Sequence, residues 1–263
     1  MRKISILLSV IFILTACKSD EKGESATKMA VNDLTTENVK GDVSSYEETP
    51  YKTDSTGKTG EMDSCCISVS EYDENGNGVK NTSKYNKGTI KTESVFTRHS
   101  NGLFKSSVNT EKGKTTGSFD TKLDENGKYN WAQELDSNGN LVFYYTEIKQ
   151  NEDGMVTGWK QYDKDSVFRS TGESKFEKFL QTSFTAKDSV GKTKSSSLYK
   201  YNDKGEQVEA SNTNITNDST TTKVTKYTYE THDEMGNWTQ RTSWDDKGKA
   251  TAVVKRTYTY RKE

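Results

Sequence analysis

YTYETHDEMGNWTQRTSWDDKG, residues 227–248, reads as strand, turn, strand, turn. Asp233-Glu234-Met235-Gly236 and Asp245-Asp246-Lys247-Gly248 share one chemistry. An Asp at the first position of a type I turn bonds the backbone ahead of it, and a Gly at the fourth accepts a positive φ. A type I turn followed by a left-handed Gly joins the two strands of a hairpin. Between the two turns the period of two places Trp238, Gln240, Thr242 and Trp244 on one face, with Thr239, Arg241 and Ser243 on the other.

Weaker copies of this unit fill most of the chain. Turn glycines fall at Gly76, Gly88, Gly102, Gly113, Gly127, Gly139 and Gly154, then at Gly191, Gly205, Gly236 and Gly248. The wider gaps leave room for unmarked turns near Asp165-Ser166 and Asn217-Asp218. Steps of 11 to 15 residues with turn residues at each step mark short antiparallel strands joined by tight hairpins, and a repeat whose units bury their faces against one another. Phe143 and Tyr145 are set opposite Tyr144 and Ile148, while Tyr199 and Tyr201, Tyr227 and Tyr229, and Tyr258 and Tyr260 share a direction in pairs. No segment sustains a helical period. Pro50 is the single proline, so little in the chain blocks sheet hydrogen bonding.

The amino terminus is of another kind. Arg2 and Lys3 precede the apolar run Ile4 to Leu14, which is too short for a permanent membrane span of about 20 residues. Leu14-Thr15-Ala16-Cys17 resembles a lipobox, the site where bacterial signal peptidase II cuts and the new terminal Cys is acylated. Residues 1–16 are therefore expected to be a lipoprotein signal peptide cleaved after Ala16, with Cys17 lipidated. Several acyl chains would anchor it stably, at about 0.8 kcal/mol per buried methylene. Lys18-Ser19-Asp20-Glu21 is similar to a surface-export signal of lipoproteins in one phylum of Gram-negative bacteria. It favours the surface over the periplasmic face of the outer membrane and leaves the choice open. Residues 17–40 are polar with isolated apolar positions and read as a flexible tether.

Composition bounds the remaining part, residues 41–263. Leu, Ile, Val and Phe together fall below one-fifth of the chain, a level that warns of disorder when net charge is high. Here 38 basic residues nearly cancel 39 acidic ones, and 14 Tyr and 4 Trp make good part of the apolar deficit. The near-neutral charge argues against nucleic acid, which calls for a basic patch.

Tyr72-Asp73-Glu74-Asn75-Gly76-Asn77, Tyr201-Asn202-Asp203-Lys204-Gly205 and His232 to Thr239 resemble the Tyr-Asp (YD) repeats of RHS-type proteins. The stretch Tyr229 to Tyr260 is similar to the carboxy-terminal end of small bacterial lipoproteins built from divergent YD-like repeats, and Gly41 to Glu48 to their first strand. Gly158-Trp159-Lys160-Gln161-Tyr162 is similar to a MORN-like repeat, a weaker match. Large RHS shells enclose a toxin. For this much shorter chain the resemblance implies an open or half-curled, long twisted sheet. The all-β expectation is thus an antiparallel meander of hairpins, with 168–190 departing from the pattern.

No catalytic constellation emerges. Asp73, Asn75 and Asn77 imitate the start of an EF-hand loop, but the twelfth position is Lys84 where Glu is needed, so a hairpin turn is the better reading. His99 and His232 have no ligand-spaced partner. The adjacent Cys65 and Cys66 leave open an intermolecular bond, a bond to each other, or free thiols, and they lack the Cys-x-x-Cys spacing of a redox motif. No enzyme, cofactor or metal is expected. The expected role is a non-catalytic interaction scaffold held to the membrane by lipid. The alternative is a surface glycan-binding protein in which Trp131, Trp159, Trp238 and Trp244 stack on sugar rings.

Overall fold

The computed structural model describes residues 31–216 and 219–262. The expected signal peptide, Ala16, Cys17 and the turn at Asn217-Asp218 lie outside the described residues. One short helix, α1 (Asp33–Thr36), precedes the strands β1 (Val43–Thr53), β2 (Thr59–Met62), β3 (Cys65–Tyr72), β4 (Gly78–Tyr85), β5 (Ile90–Arg98), β6 (Phe104–Glu111), β7 (Lys114–Leu123), β8 (Tyr129–Asp136) and β9 (Leu141–Gln150). There follow β10 (Val156–Asp163), β11 (Phe168–Glu177), β12 (Leu180–Asp188), β13 (Thr193–Tyr201), β14 (Gln207–Thr216), β15 (Ser219–His232), β16 (Trp238–Trp244) and β17 (Ala250–Tyr260). The departing stretch 168–190 is the regular hairpin β11–β12, turned at Lys178 with a positive φ but no glycine.

The hairpin meander is as expected, but the sheet is closed, and the open or half-curled form is corrected. β1 is paired on both edges, Tyr46 facing Tyr258 of β17 on one side and Ser70 of β3 on the other. β1 and β3 to β17 form a closed barrel of 16 antiparallel strands, with β2 a short flap on β1. The physical reason is the edge. An open meander of this length would expose two long rows of unpaired backbone groups, which closure removes.

Ten of the turns share one device. In each of these among the described residues, an Asp or Asn side-chain oxygen accepts from backbone N–H groups ahead of it. Asp124 accepts from Asn126 and Lys128 at 2.9 Å, and Asp245 from Lys247 at 3.0 Å and Lys249 at 2.8 Å. The Asp73 loop is such a turn, accepting from Asn75 and Asn77. The fourth residue of each turn is Gly with positive φ, except Ser166, whose φ is 61° in the unmarked turn after Asp163.

Pairing registers sort the strand residues onto two walls. Arg98 of β5, Tyr46 and Tyr72 of β1 and β3 are all touched by the segment around α1, which also reaches the turns of β13–β14 and β15–β16. A segment that meets strands on different sides of a ring lies on its concave side, so this wall is the lumen. A circular ring of 16 strands, spaced about 4.8 Å and tilted about 40°, is about 30 Å across, too wide for side chains to fill.

Bulges break the period of two at two aromatic sites. The expected common face of Trp238 and Trp244 is divided. A register shift between His232 and Thr231, opposite Trp238 and Gln240, turns Trp238 into the lumen while Trp244 stays outside. A shift in β9 near Glu147, whose φ is 49°, likewise brings Ile148 inward beside Tyr145.

On the inner wall Trp159 lies over Gly172, where an added Cβ would sit 2.3 Å from the indole. Gly172→Ala should push the indole away from its edge contact with Tyr145 and lower stability by about 1–3 kcal/mol, read as a lower urea midpoint.

Candidate functional site

The lumen has two unlike ends. Around the mouth that carries the turns at Gly76, Gly102, Gly127, Gly154, Gly205 and Gly236, the inner wall is aromatic and apolar. Phe96, Phe104, Phe119, Tyr145 and Trp159 form a row of rings crossing β5 to β10, neighbouring centroids 5.4–6.3 Å apart. Tyrosines next to these turns tie strand to strand. Tyr129 donates to the Phe104 carbonyl, Tyr201 to Gln181, and Tyr229 to Gln207.

This mouth is crossed by Asn32 to Lys40, part of the stretch expected to be tether. Its few apolar side chains explain the docking. Leu34 and Val39 are buried with Val43, Tyr46 and Tyr72. Polar ends fasten it to the rim. Asn32 donates to the Asn75 carbonyl at 2.9 Å, Asn38 to Lys204 at 2.8 Å, and Lys40 and Asn237 exchange two bonds at 2.7 and 2.8 Å. Two carboxylates enter the lumen. Glu37 accepts from the hydroxyls of Tyr46 and Tyr72, each at 2.7 Å, and its pKa is raised by burial. Asp33 accepts from the Gly78 N–H and from Arg98, and burial pushes it up to about 7 against the pull of that guanidinium.

The four expected ligand aromatics are not brought together. Trp159 is on the inner wall over Gly172. Trp238 is 9% exposed, also inside, with the guanidinium of Arg256 4.0 Å and that of Arg241 4.8 Å from its ring centre. Trp131 is on the outer wall under Lys122, 4.5 Å away. Trp244, also outside, is overlain by the backbone of Gly57 in the β1–β2 loop and donates to Thr228 at 3.0 Å. Their contacts are those of strand packing. Cys65 and Cys66 are joined to each other, with the Lys91 ammonium 3.6 and 3.7 Å from their sulfurs. His99 contacts Thr121, and His232 contacts Glu206 at 2.5 Å.

At the opposite mouth, lined by the turns after β8 and β10, lies an open cavity of about 940 Å³. Asp136, Asn140, Phe143, Gln161, Asp163 and Arg169 line it. None of these was singled out as a site residue from sequence. The only available signal was Phe143, an inward aromatic beside polar turns, and it becomes legible only once the strands are placed in a ring.

The outer wall carries charge pairs along its strands. Lys80 pairs with Glu93 at 2.8 Å, Lys84 with Glu47 at 2.9 Å, Lys160 with Glu147 at 2.6 Å, Lys187 with Glu173 at 3.6 Å and Lys200 with Glu209 at 2.9 Å. Exposed apolar residues on it, such as Val95, Val108 and Leu198, stand among these charges.

No protein-family model and no curated protein matches the sequence. Among solved structures, the chain is similar to a porin-like protein from Bacteroides uniformis, at 14% identity and a TM-score of 0.52, covering 82% of this chain and 96% of that one. It is also similar to a porin-like protein from Bacteroides vulgatus (13% identity, TM-score 0.38, 82% and 98% covered). A third is the Photorhabdus luminescens Tc holotoxin pore (14% identity, TM-score 0.32, 79% and 11% covered). The first likeness speaks for the fold, an all-β antiparallel barrel of the porin-like type.

Two outcomes test the docked segment. Tyr72→Phe removes one of the two hydroxyls that solvate the buried Glu37 carboxylate and should destabilise the docked state by about 1–3 kcal/mol, read by hydrogen exchange across residues 32–40. Asp33 holds its proton more tightly folded than unfolded. Its contribution is therefore complete below the ordinary value of 3.8 and is lost as pH rises to about 7. Protection of residues 32–40, corrected for intrinsic exchange, should fall as pH rises from about 4 to about 7, and Asp33→Asn should reduce that dependence to the part the buried Glu37 supplies.

Proposed function

We propose that this chain is a lipid-anchored protein of the bacterial cell envelope whose barrel is a non-catalytic binding scaffold held in water beside the outer membrane. The observation that carries this reading is the outer wall. A barrel that spans a bilayer presents an apolar band about 25 Å tall, and each Lys or Arg facing lipid at mid-depth costs about 2–4 kcal/mol. Here the outer strand faces, whose whole height such a band would take up, carry cross-strand Lys–Glu pairs on β4 and β5, on β11 and β12, and on β13 and β14. Such pairs suit a water-facing surface, where each is worth about 0–1 kcal/mol. Among the described residues no helix is long and apolar enough to cross a membrane.

The address rests on the sequence. Leu14 to Cys17 supports lipidation at Cys17, and the repeated Asp-x-x-Gly turns and inward tyrosines support kinship with YD-like repeat lipoproteins. The anchor would also orient the barrel. From Cys17 to Asn32 the chain reaches at most about 50 Å, and it enters at the mouth crossed by the docked segment, leaving the open cavity directed away from the membrane.

Cys17→Ala should move the protein from the membrane fraction to the soluble fraction, and the purified barrel should keep its β-sheet spectrum and melting transition without detergent. Aggregation until detergent is added would overturn the water-facing reading. Digestion of intact cells with proteinase K, a periplasmic control being spared, should degrade the barrel if the surface signal at Lys18 to Glu21 is read. Protection until lysis would place it in the periplasm.

A further inference from the structure

We propose that the cavity at the ends of β8 to β11 binds a neutral oligosaccharide of two or three sugar units. The proposal rests on the water-facing scaffold reading and assigns its ligand class.

Four features of the lining lead there. The first is size and openness. A cavity of about 940 Å³ lies at the upper end of the 300–1,000 Å³ usual for small-molecule sites, and its open form suits a chain that enters from solvent. The second is a single aromatic ring, Phe143, half-buried on a lining that joins an apolar strip, Leu141 to Phe143, to the polar side chains of the flanking strands and turns. A ring in such a place offers an apolar face to the C–H face of a sugar while its neighbours meet the hydroxyls.

The third is preorganisation. The Asp136 carboxylate accepts from the N–H groups of Asn138 and Asn140 at 2.8 and 2.9 Å, and from the Asn140 amide at 3.1 Å. Asp163 accepts from Asp165 at 3.0 Å and Val167 at 2.9 Å, and is gripped by Arg169. Gln161 donates to the Tyr145 hydroxyl at 2.9 Å and accepts from Ser170 at 2.8 Å. These side chains are already fixed, so a ligand meets them without the ordering cost of loose ones. Hydrogen bonds from Asn140 hold Asp136 below the usual carboxylate range, and the Val167 N–H does the same for Asp163, so both are acceptors at neutral pH.

The fourth is charge. Asp136, Asp163 and Asp165 face Lys164 and Arg169, and Arg169 is committed to Asp163 while Lys164 lies 3.5 Å from Asp165. An anionic ligand finds no uncommitted cation there, and the one carboxylate without a cationic neighbour, Asp136, is met by N–H donors of its own turn. A neutral, hydroxyl-rich molecule with one apolar face fits what is left. The tryptophans that sequence pointed to are absent from this lining, each held in packing contacts elsewhere.

The experiment uses the mature chain as Cys17→Ala without detergent, its solubility and melting transition recorded first, so that failure of the water-facing reading is seen separately. Maltotriose, cellotriose and tri-N-acetylchitotriose are titrated by calorimetry and by nuclear magnetic resonance. At least one should give saturable one-site binding. Phe143→Leu, which keeps apolar bulk and loses the ring, should weaken it at least ~10-fold with the melting transition unchanged, and Trp131→Ala should leave it as it was. Where Phe143→Leu lowers the melting transition, resonance shifts on binding should still map to residues 136–143 and 161–170. No saturable binding by any of the three, binding retained in Phe143→Leu, or shifts that map to the outer wall would overturn the proposal.

Discussion

The rest of the structure depends on β1 having no free edge. Its register with β17, Tyr46 opposite Tyr258 and Pro50 opposite Val254, joins parts of the chain more than 200 residues apart, and its other edge takes β3. Inside the seam the Arg256 guanidinium bonds Glu48 and lies over the rings of Tyr46 and Trp238, 4.1 and 4.0 Å from their centres. Closure of long-range pairs costs chain entropy that no local contact returns. An ion pair and ring contacts sheltered in the lumen offset it at the place where the last strand meets the first. Without this seam there would be two exposed edges and no lumen.

Once the ring is closed, each strand separates two environments, and the modest apolar content makes sense. An antiparallel sheet can leave one face to water. Here the outer wall sets Lys–Glu pairs among scattered apolar and aromatic side chains, and the inner wall concentrates its rings near one mouth, leaving the other with Phe143 beside polar turns. The aromatic end is also where Asn32 to Lys40 docks, because Leu34 and Val39 find apolar partners there. Two buried carboxylates, Asp33 and Glu37, are tolerated in that place because Arg98, a backbone N–H and two tyrosine hydroxyls meet them.

Sequence carried the local part of this fold and lost the non-local part. Asp245 and Gly248, or Asp124 and Gly127, state their turn in four residues, because the bonds that make it lie within five. Ser166 turns the chain without that glycine and was legible only from the wide gap around it, whereas the turn at Lys178 stayed hidden. Face assignments held where strands run true and failed at bulges. Trp238 and Ile148 changed walls because one extra residue reverses every side chain beyond it. Closure could not be read at all, since nothing near Tyr46 names Tyr258 as its partner. The site suffered the same loss. Phe143 and Gln161 belong to different strands, and only the ring places both beside the turns of Asp136 and Asp163.

The two mouths also explain why the tryptophans misled. Large aromatic side chains on strands of a wide barrel must cover neighbouring backbone, as Trp159 covers Gly172, or shield a buried charge, as Trp238 shields Arg256. Both duties hold the ring face against protein. A ring left free for a ligand must stand where the packing demand is lowest, at the mouth without the docked segment. There a single Phe among fixed polar groups satisfies the condition that four conspicuous tryptophans do not.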